Sequence, residues 1–218
     1  MTTRRLIVFA REPQPGRVKT RLARDIGDSK ATLLYAAMLE DVLATAAALR
    51  GCRTMIFWAT EHGKPPEHYR DMPCEHFVQT GSDLGERMIN AFSTAFSGET
   101  GSCCIIGSDS PDLPPEYLCQ AFDLLEQGTE AVFGPADDGG YYLAGMRRLI
   151  PELFSGIEWG TATVLDESCR RAREQGVKTA FLPGWYDIDT LADLRRLTGS
   201  RGETRSSRLA AALLAGLP

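Results

Sequence analysis

The apolar residues of the chain follow two different spacings. Short continuous apolar runs, typical of strands buried on both faces, occupy 5–10, 54–60, 75–80, 103–106, 130–136, 141–146 and 177–183. Segments with helical spacing occupy 29–49, 84–96, 114–128, 161–176 and 190–199. Because the two patterns alternate along the chain, we predict an α/β fold with a mostly parallel central sheet flanked by helices.

The domain organisation follows from what separates these segments. No stretch is rich enough in Pro, Gly or Ser to act as a linker, so we predict one domain over residues 1–218. The tail from about residue 200 is polar and then ends in "SRLAAALLAGLP", which predicts a docked helix.

Several residues at the ends of segments are typical of helix caps. Asp28 or Ser29 is expected to cap the helix at 29–49. Thr190 and Asp193 are spaced like a capping box, with Asp in the place of Glu. The helix at 114–128 starts with proline and has Gly128 at its end, the usual asymmetry of helix termini.

Composition and charge narrow the class of protein. The net charge is −5 and there is no basic run with interleaved aromatic residues, so we expect no nucleic acid partner. We expect no membrane-spanning segment, because no apolar stretch approaches the roughly 20 residues needed to cross a bilayer. The first apolar run, Leu6–Ala10, is too short for a signal peptide, and we predict a cytoplasmic protein without a membrane span. Neither the six cysteines nor the three histidines have the spacing of a zinc site.

Two acidic segments suggest a metal site. In "GSDSPDLP", Asp109 and Asp112 follow the apolar run "CCII", and ligands of open α/β sheets bind at the carboxyl ends of strands. A fixed carboxylate such as Asp109 suits Mg²⁺ or Mn²⁺, whereas Asp112 is as readily explained as a helix cap. In "WYDIDT", Asp187 and Asp189 lie on one face of an extended segment, and either is a candidate for a second metal ligand.

The segment "REPQPGRVKTRLA" directly after the first strand is a candidate phosphate loop. It is neither a G-x-G-x-x-G motif nor a Walker loop. Gly16 permits close approach of a ligand to the backbone, and Arg11, Arg17, Lys19 and Arg21 supply four cations. The alternative is an ordinary solvated basic loop.

The segment "GPADDGGYYLAG" has two readings that are compatible with each other. Asp137 or Asp138 is suited to bind substrate hydroxyls, and Gly139 and Gly140 allow close backbone approach. Asp-Gly between two strands is also a strong signal for a tight hairpin turn.

Candidates for acid–base and stacking roles are few. No histidine lies near these motifs, so Asp138 is the best candidate for the base that deprotonates an acceptor hydroxyl. Tyr141 and Trp159 are candidates for stacking on a sugar or base, although a place in the core explains them at least as well.

These segments together resemble a known family. "FAREPQPGRVKTRLA", "GSDLGERM", "IGSDSPDLP", "GPADDGGYYLAGM", "EWGTATVL" and "DIDTLADL" occur in the order seen in the radical-SAM/selenodomain-associated transferases, which belong to the GT-A (nucleotide-diphospho-sugar transferase) superfamily. The likeness extends to about Leu197. "DIDT" is also similar to molybdenum-cofactor nucleotidyltransferases, and the regions Lys19–Leu22 and Asp138–Gly140 are more distantly similar to phospholactate guanylyltransferases.

The resemblance implies a Rossmann-like GT-A fold, a nucleotide donor and a divalent metal. By position it places the donor phosphates on Gly16, Lys19 and Arg21, and the base and ribose near Gly81 to Asn90. It makes Asp109 the main metal ligand, with Asp187 or Asp189 as the second. It places Asp138, Gly139 and Gly140 at the transferred group or acceptor. Arg11 departs from the family, which usually has lysine at this position. An arginine binds an anion through two parallel hydrogen bonds, whereas a lysine acts as a single point charge.

Three functions are compatible with these features. The leading one is a metal-dependent glycosyltransferase with a nucleotide-diphospho-sugar donor and a small-molecule acceptor. The alternative is a nucleotidyltransferase that couples a nucleoside triphosphate to a small phosphorylated or hydroxylated acceptor and releases pyrophosphate, with Lys19 on the α-phosphate. The third is a nucleotide-binding module without catalysis, which intact Lys19, Asp109 and Asp189 count against.

Overall fold

A computed structural model describes residues 3–199 and 203–217. The strands are β1 (Arg4–Arg11), β2 (Cys52–Ala59), β3 (Glu75–Val78), β4 (Ser102–Ile106), β5 (Ala131–Pro135), β6 (Tyr141–Met146) and β7 (Thr179–Phe181). The helices are α1 (Thr20–Ile26), α2 (Asp28–Ala48), α3 (Leu84–Phe96), α4 (Pro115–Glu126), α5 (Val164–Glu174), α6 (Leu191–Thr198) and α7 (Arg205–Ala215). Two short 3₁₀ turns lie at Glu67–Tyr69 and Pro151–Leu153.

The seven strands form one sheet in the order β3-β2-β1-β4-β6-β5-β7. Strand β6 runs antiparallel to both of its neighbours, and the other neighbouring pairs are parallel. At the centre, Val8 of β1 lies beside Ile56 on one side and Ile106 on the other. The predicted α/β fold with a mostly parallel sheet is therefore confirmed.

Both faces of the sheet are buried, which explains the continuous apolar strands. On β1, Leu6 and Val8 face the core on the side of α2 and α4, whereas Ile7 faces the core on the side of α3 and α5. Cys104 and Cys103 divide between the same two cores. Successive strand residues point to opposite faces, so a strand covered by helices on both sides needs apolar residues at every position.

A third apolar cluster lies beside the sheet, among α1, α2, α6 and α7. Its buried members include Leu22, Met38, Ile188, Leu194 and Ala210. Helix α7 packs against α2 and α6, which confirms the predicted docked helix. Residues 200–202 and 218 of that tail lie outside the described residues.

The helix ends match the sequence in part. The capping box of α6 is present, because Thr190 and Asp193 bond reciprocally through side chain and backbone. Pro115 begins α4, as expected. The predicted cap of α2 by Asp28 or Ser29 is wrong: the capping position is Gly27, at φ 86°, without a side-chain bond, and Asp28 is already helical.

Helix α2 also corrects the expectation about apolar stretches. It has 21 residues and contains an 18-residue stretch with a mean hydropathy of 1.3, so by length and composition alone it could cross a membrane. Core helices of globular proteins pass the same test. Here α2 contacts β1 and β2, and it also contacts α1 and α7.

Candidate functional site

A cleft of about 570 Å³ lies at the carboxyl ends of β1 and β4. The residues that line it come from distant parts of the chain, and include Arg11, Arg17, Lys19, Arg21, Tyr35, Ser108, Asp109, Tyr141 and Asp189. This is the edge where ligands of α/β sheets bind.

Lys19 lies at the start of α1 in an unusual backbone conformation. Its φ of 49° and ψ of 41° are left-handed, and no other non-glycine residue within 3–199 and 203–217 has a positive φ. This conformation costs a lysine roughly 1–2 kcal/mol. The side chain is only 3% exposed, and its Nζ contacts Asp109 and lies 3.0 Å from Asp189. The strained residue thus brings one buried cation to two carboxylates.

The charges around Lys19 keep it protonated. Burial alone lowers the pKa of its ammonium, but the carboxylates of Asp109 and Asp189 outweigh burial and hold the pKa above its ordinary value. Arg21 adds a weaker contact to Asp189, at 3.8 Å from its second oxygen.

The segment that carries Asp187 and Asp189 is held against the loop after β4. The backbone N–H of Ile188 donates to the carbonyl of Asp109 at 2.9 Å, and the Ser110 hydroxyl donates to Asp187 at 2.8 Å. Burial, and then the charge of Asp109, raises the pKa of Asp187 to about 6, although the Ser110 bond opposes this. The structure thus brings the two acidic segments together.

Asp109 and Asp189 could bind a divalent cation only together with further oxygen ligands, such as the phosphates of a substrate. Across the described ranges, no three His, Cys, Asp or Glu side chains are arranged to hold a metal by themselves. Asp109 and Asp189 are 43% and 45% exposed, so each keeps oxygen surface toward solvent. Magnesium is commonly bound by one or two carboxylates together with substrate phosphates. The donor set therefore suits Mg²⁺ or Mn²⁺ in the presence of phosphates, and it is not a complete protein cage.

The basic loop presents its cations in different ways. Lys19 is engaged by carboxylates, and Arg17 pairs with Glu61 at 2.8 Å on the surface. Arg11 and Arg21 are exposed residues of the cleft lining. Gly16 has a φ of 75° and open space around it, so the backbone there is accessible to a ligand. Arg11 and Arg21 are thus the cations best placed to meet an anion.

The segment around Asp138 forms the tight hairpin turn that the sequence predicted. Gly140 N–H donates to Asp138 Oδ1 at 2.9 Å, and the turn joins β5 to the antiparallel β6. Gly139 has a φ of 89°, and a Cβ there would lie 2.2 Å from the carbonyl oxygen of Ala162. Asp138, Gly139 and Gly140 are not among the described residues that line the cleft. Asp137 is paired with Arg196 at 2.8 Å.

The two aromatic candidates lie side by side, but only one reaches the cleft. Tyr141 lines it and contacts the sulfur of Met88 through its hydroxyl at 3.8 Å. Trp159 meets Tyr141 edge to face, with ring centroids 6.3 Å apart. Its indole N–H is buried without a partner in the described part of the chain, and it packs over Gly85. Trp159 therefore supports the wall behind Tyr141.

The segment Gly81 to Asn90 contributes to the cleft through its middle. Leu84, Arg87 and Met88 line the cleft, whereas Gly81 and Asn90 are outside the lining residues that the structure describes. The Asn90 amide donates to the carbonyl of Thr80 at 2.8 Å. Asn90 thus fixes the loop that precedes α3.

Asp112 is not the cap of α4, and both of its carboxylate oxygens are engaged by aromatic side chains. The cap position of α4 is Pro114. Asp112 instead accepts hydrogen bonds from the Tyr186 hydroxyl at 2.6 Å and the Trp185 indole at 3.3 Å. It ties the loop after β4 to the segment that carries Asp187 and Asp189.

Tyr35 and Ser108 both line the cleft, and the sequence analysis did not single them out. Tyr35 of α2 bonds Ser108 at 2.8 Å, and it also accepts the backbone N–H of Arg11 at 2.9 Å. Tyr35 sits within an apolar helical pattern and looks like a core residue. Ser108 stands next to Asp109, which is the one signal that pointed to it.

The fold is similar to the folds of a putative nucleotide-diphospho-sugar transferase and of several nucleotidyltransferases. The structure of a putative nucleotide-diphospho-sugar transferase from Desulfovibrio desulfuricans G20 is 34% identical, with a TM-score of 0.92, and the match covers 99% of this chain and 96% of that one. CMP:2-keto-3-deoxy-manno-octonic acid synthetase complexed with CTP is 10% identical, with a TM-score of 0.58, over 90% of this chain and 97% of that one. A nucleotidyl transferase from Methanothermobacter thermautotroptrophicus is 14% identical, with a TM-score of 0.61, and the match covers 89% of this chain and 95% of that one. The last two show likeness of fold alone.

The chain belongs to the family described as uncharacterized protein conserved in bacteria (DUF2064), whose model matches residues 42–161. No significant match was found among curated proteins.

Proposed function

We propose that the protein is a metal-dependent transferase that uses a nucleotide-activated donor, with sugar transfer from a nucleotide-diphospho-sugar as the leading chemistry. One observation carries the proposal: buried Lys19 joins Asp109 and Asp189 in a cleft whose lining also holds the exposed Arg11 and Arg21. The cleft thus offers both a carboxylate pair for a cation and arginines for phosphates. The 34% identical relative, whose name is that of a nucleotide-diphospho-sugar transferase, supports the sugar donor.

In this proposal each charged residue has a separate task. Asp109, with Asp187 or Asp189, would hold Mg²⁺ or Mn²⁺, which supplies positive charge for a departing diphosphate. Arg11 and Arg21 would bind phosphate oxygens, with the backbone at Gly16 approaching closely. Lys19 would hold the carboxylates of Asp109 and Asp189 in place. The sequence analysis also placed Lys19 on the donor phosphates. For that contact, the ammonium would have to bind a phosphate oxygen in addition to Asp109 and Asp189.

The acceptor side is proposed at the mouth of the cleft. One oxygen of exposed Asp138 is fixed by the Gly140 N–H, and the other would take the proton of a small acceptor's hydroxyl. Gly140 would let the acceptor approach the backbone, whereas the carbonyl oxygen of Ala162 closes off Gly139. Tyr141, backed by Trp159, would give the transferred group an aromatic surface.

A second candidate is nucleotidyl transfer. The cations of the loop 11–21 would serve a triphosphate as well as a diphosphate, and the synthetase of similar fold was solved with CTP. A binding module without catalysis is disfavoured, because it would not need a strained lysine buried against two carboxylates.

Phosphorus NMR separates the two chemistries. The protein is incubated with Mg²⁺ or Mn²⁺, a panel of nucleotide sugars and nucleoside triphosphates, and a mixture of small acceptors. Sugar transfer, or slow hydrolysis of the donor, releases a nucleoside diphosphate. Pyrophosphate from a triphosphate, with the nucleotide sugars intact, would overturn sugar transfer in favour of the second candidate.

The metal assignment has its own test. Asp109→Ala is expected to keep the fold and to lose metal-dependent nucleotide binding, measured by titration calorimetry with and without Mg²⁺. Asp71→Ala removes an exposed carboxylate elsewhere and serves as the matched control. Equal metal-dependent affinity in Asp109→Ala and the control would remove Asp109 from the metal site.

We further propose that the chain belongs to the radical-SAM/selenodomain-associated branch and acts in the cytoplasm on small molecules. The order of its motifs supports the branch, and its net charge of −5 disfavours a nucleic acid partner.

A further inference from the structure

The hydrogen bonds of Tyr35 have a fixed direction. Its side chain is buried at 2% exposure, and its hydroxyl oxygen accepts the backbone N–H of Arg11 at 2.9 Å. A backbone N–H can only donate, so the phenolic proton needs another partner. The Ser108 oxygen, 2.8 Å away, is the acceptor that the described residues supply.

The phenol is protonated under ordinary conditions, as this direction requires. Burial, and then the nearby charge of Asp109, raises the pKa of Tyr35 to about 12. The phenol thus has one proton to give, its oxygen already accepts from Arg11, and Ser108 is the acceptor within reach among the described residues.

The direction of this bond leaves the proton of Ser108 available. A serine hydroxyl has one proton and two acceptor positions, and Tyr35 occupies one of the acceptor positions. No other acceptor for the Ser108 proton is found in the described ranges 3–199 and 203–217. Ser108 is 3% exposed and lines the cleft beside Asp109. A buried hydroxyl with an unused proton at a cleft wall is a ready donor to a bound anion.

We infer that Ser108 donates a hydrogen bond to a phosphate oxygen of the ligand, and that Tyr35 is a positioning residue that directs this proton into the cleft. The inference rests on the proposed function, because it takes a phosphate-bearing ligand as given. It adds a neutral donor to the arginines and carboxylates, at the end of β4.

The test uses inorganic pyrophosphate with Mg²⁺ as the probe, measured by titration calorimetry on the full chain. Ser108→Ala is expected to weaken pyrophosphate binding about tenfold to a hundredfold, the effect of one hydrogen bond to a charged group. Tyr35→Phe is expected to weaken it less, because the serine proton is retained but no longer directed. Tyr35→Phe combined with Ser108→Ala is expected to bind no more weakly than Ser108→Ala alone.

Ser102→Ala is the matched control. Ser102 is likewise a buried serine. It begins β4, at the end of the strand opposite to the loop of Ser108, and its hydroxyl has no partner among the described residues. Its removal should leave pyrophosphate affinity unchanged. Thermal unfolding checks that each variant is folded, and Ser108→Cys, a weaker donor of similar size, replaces Ser108→Ala if the latter does not fold.

The outcomes separate this inference from the proposed function. Unchanged affinity in Ser108→Ala, with pyrophosphate bound by the wild-type protein, overturns the inference and leaves the proposed function intact. Additive losses in the double variant overturn the positioning role of Tyr35. A wild-type protein that binds neither pyrophosphate nor any nucleotide of the panel refutes both.

Discussion

Replacement of Lys19 by methionine tests the electrostatic centre of the cleft. The variant keeps the length of the apolar stem and removes the ammonium that joins Asp109 to Asp189. Two carboxylates then share one end of the cleft, near Asp187, without the buried cation between them. We expect Lys19→Met to fold with reduced stability.

The size of the loss follows from burial. Removing one partner of a fully buried ion pair costs about 3–5 kcal/mol. Here the lysine is 3% exposed but the carboxylates are 43% and 45% exposed, so water takes over part of their solvation. We therefore expect a loss of about 2 kcal/mol. In a chain of this size that lowers the melting temperature by about 4–8 °C.

Urea denaturation followed by circular dichroism measures this loss. Lys64→Met, which replaces an exposed lysine of a surface loop, is the control and should change little. Added Mg²⁺ should restore more stability to Lys19→Met than it adds to the wild type, since the cation can take the place of the ammonium. If Lys19→Met stays within about 0.5 kcal/mol of the wild type, the range of ordinary surface substitutions, the pairing does not stabilise the fold.

Three other predictions concern the scaffold. Burial lowers the pKa of His76 below its ordinary 6.5, and an indole N–H donates to its Nδ1 at 3.1 Å, so the folded state favours the neutral ring. Because the unfolded chain binds this proton more readily, the free energy of unfolding should fall as the pH drops below about 6.5. In urea titrations between pH 7 and pH 5, His76→Gln should lose less stability than the wild type. Gly139→Ala places a Cβ 2.2 Å from a backbone carbonyl oxygen, so thermal unfolding should show a loss of about 3 kcal/mol or more, compared with about 1–2 kcal/mol for Gly63→Ala, where the space is open; equal losses would contradict the clash. Tyr186→Phe removes the 2.6 Å hydrogen bond to Asp112 and should cost about 1.5–3 kcal/mol in chemical denaturation, and no change would show that Asp112 finds another partner.

The regular part of the fold was accessible from the sequence because packing repeats along the chain. Strands buried on both faces gave continuous apolar runs, and α3 and β6 have the predicted bounds. Helix α1 was missed, since it is only seven residues long and begins at a left-handed Lys19 without a side-chain cap. The expected cap of α2 failed because Gly27 supplies the turn through its backbone.

The site was less accessible because its contacts join distant segments. Local signals, a carboxylate after a strand and cations after a strand, identified Asp109 and the loop of Lys19 as candidates. That the two bond each other depends on how β1 and β4 pair in the sheet. The role of Tyr35 was hidden because its helical neighbours are apolar and its partners are distant in sequence: Arg11 ends β1, and Ser108 lies in the loop after β4.

Because Lys19 and Asp189 lie far apart in the sequence, their ion pair cannot form during synthesis until both residues have been made. The two residues are 170 positions apart in the chain. At a synthesis rate of about 5–20 residues per second, Lys19 is made roughly 10–30 s before its second carboxylate exists. The strand that precedes Lys19 can pair with β2 during that interval, but the cleft lacks one of its acids. A nascent chain therefore gains the complete charge arrangement only after Asp189 has been synthesised.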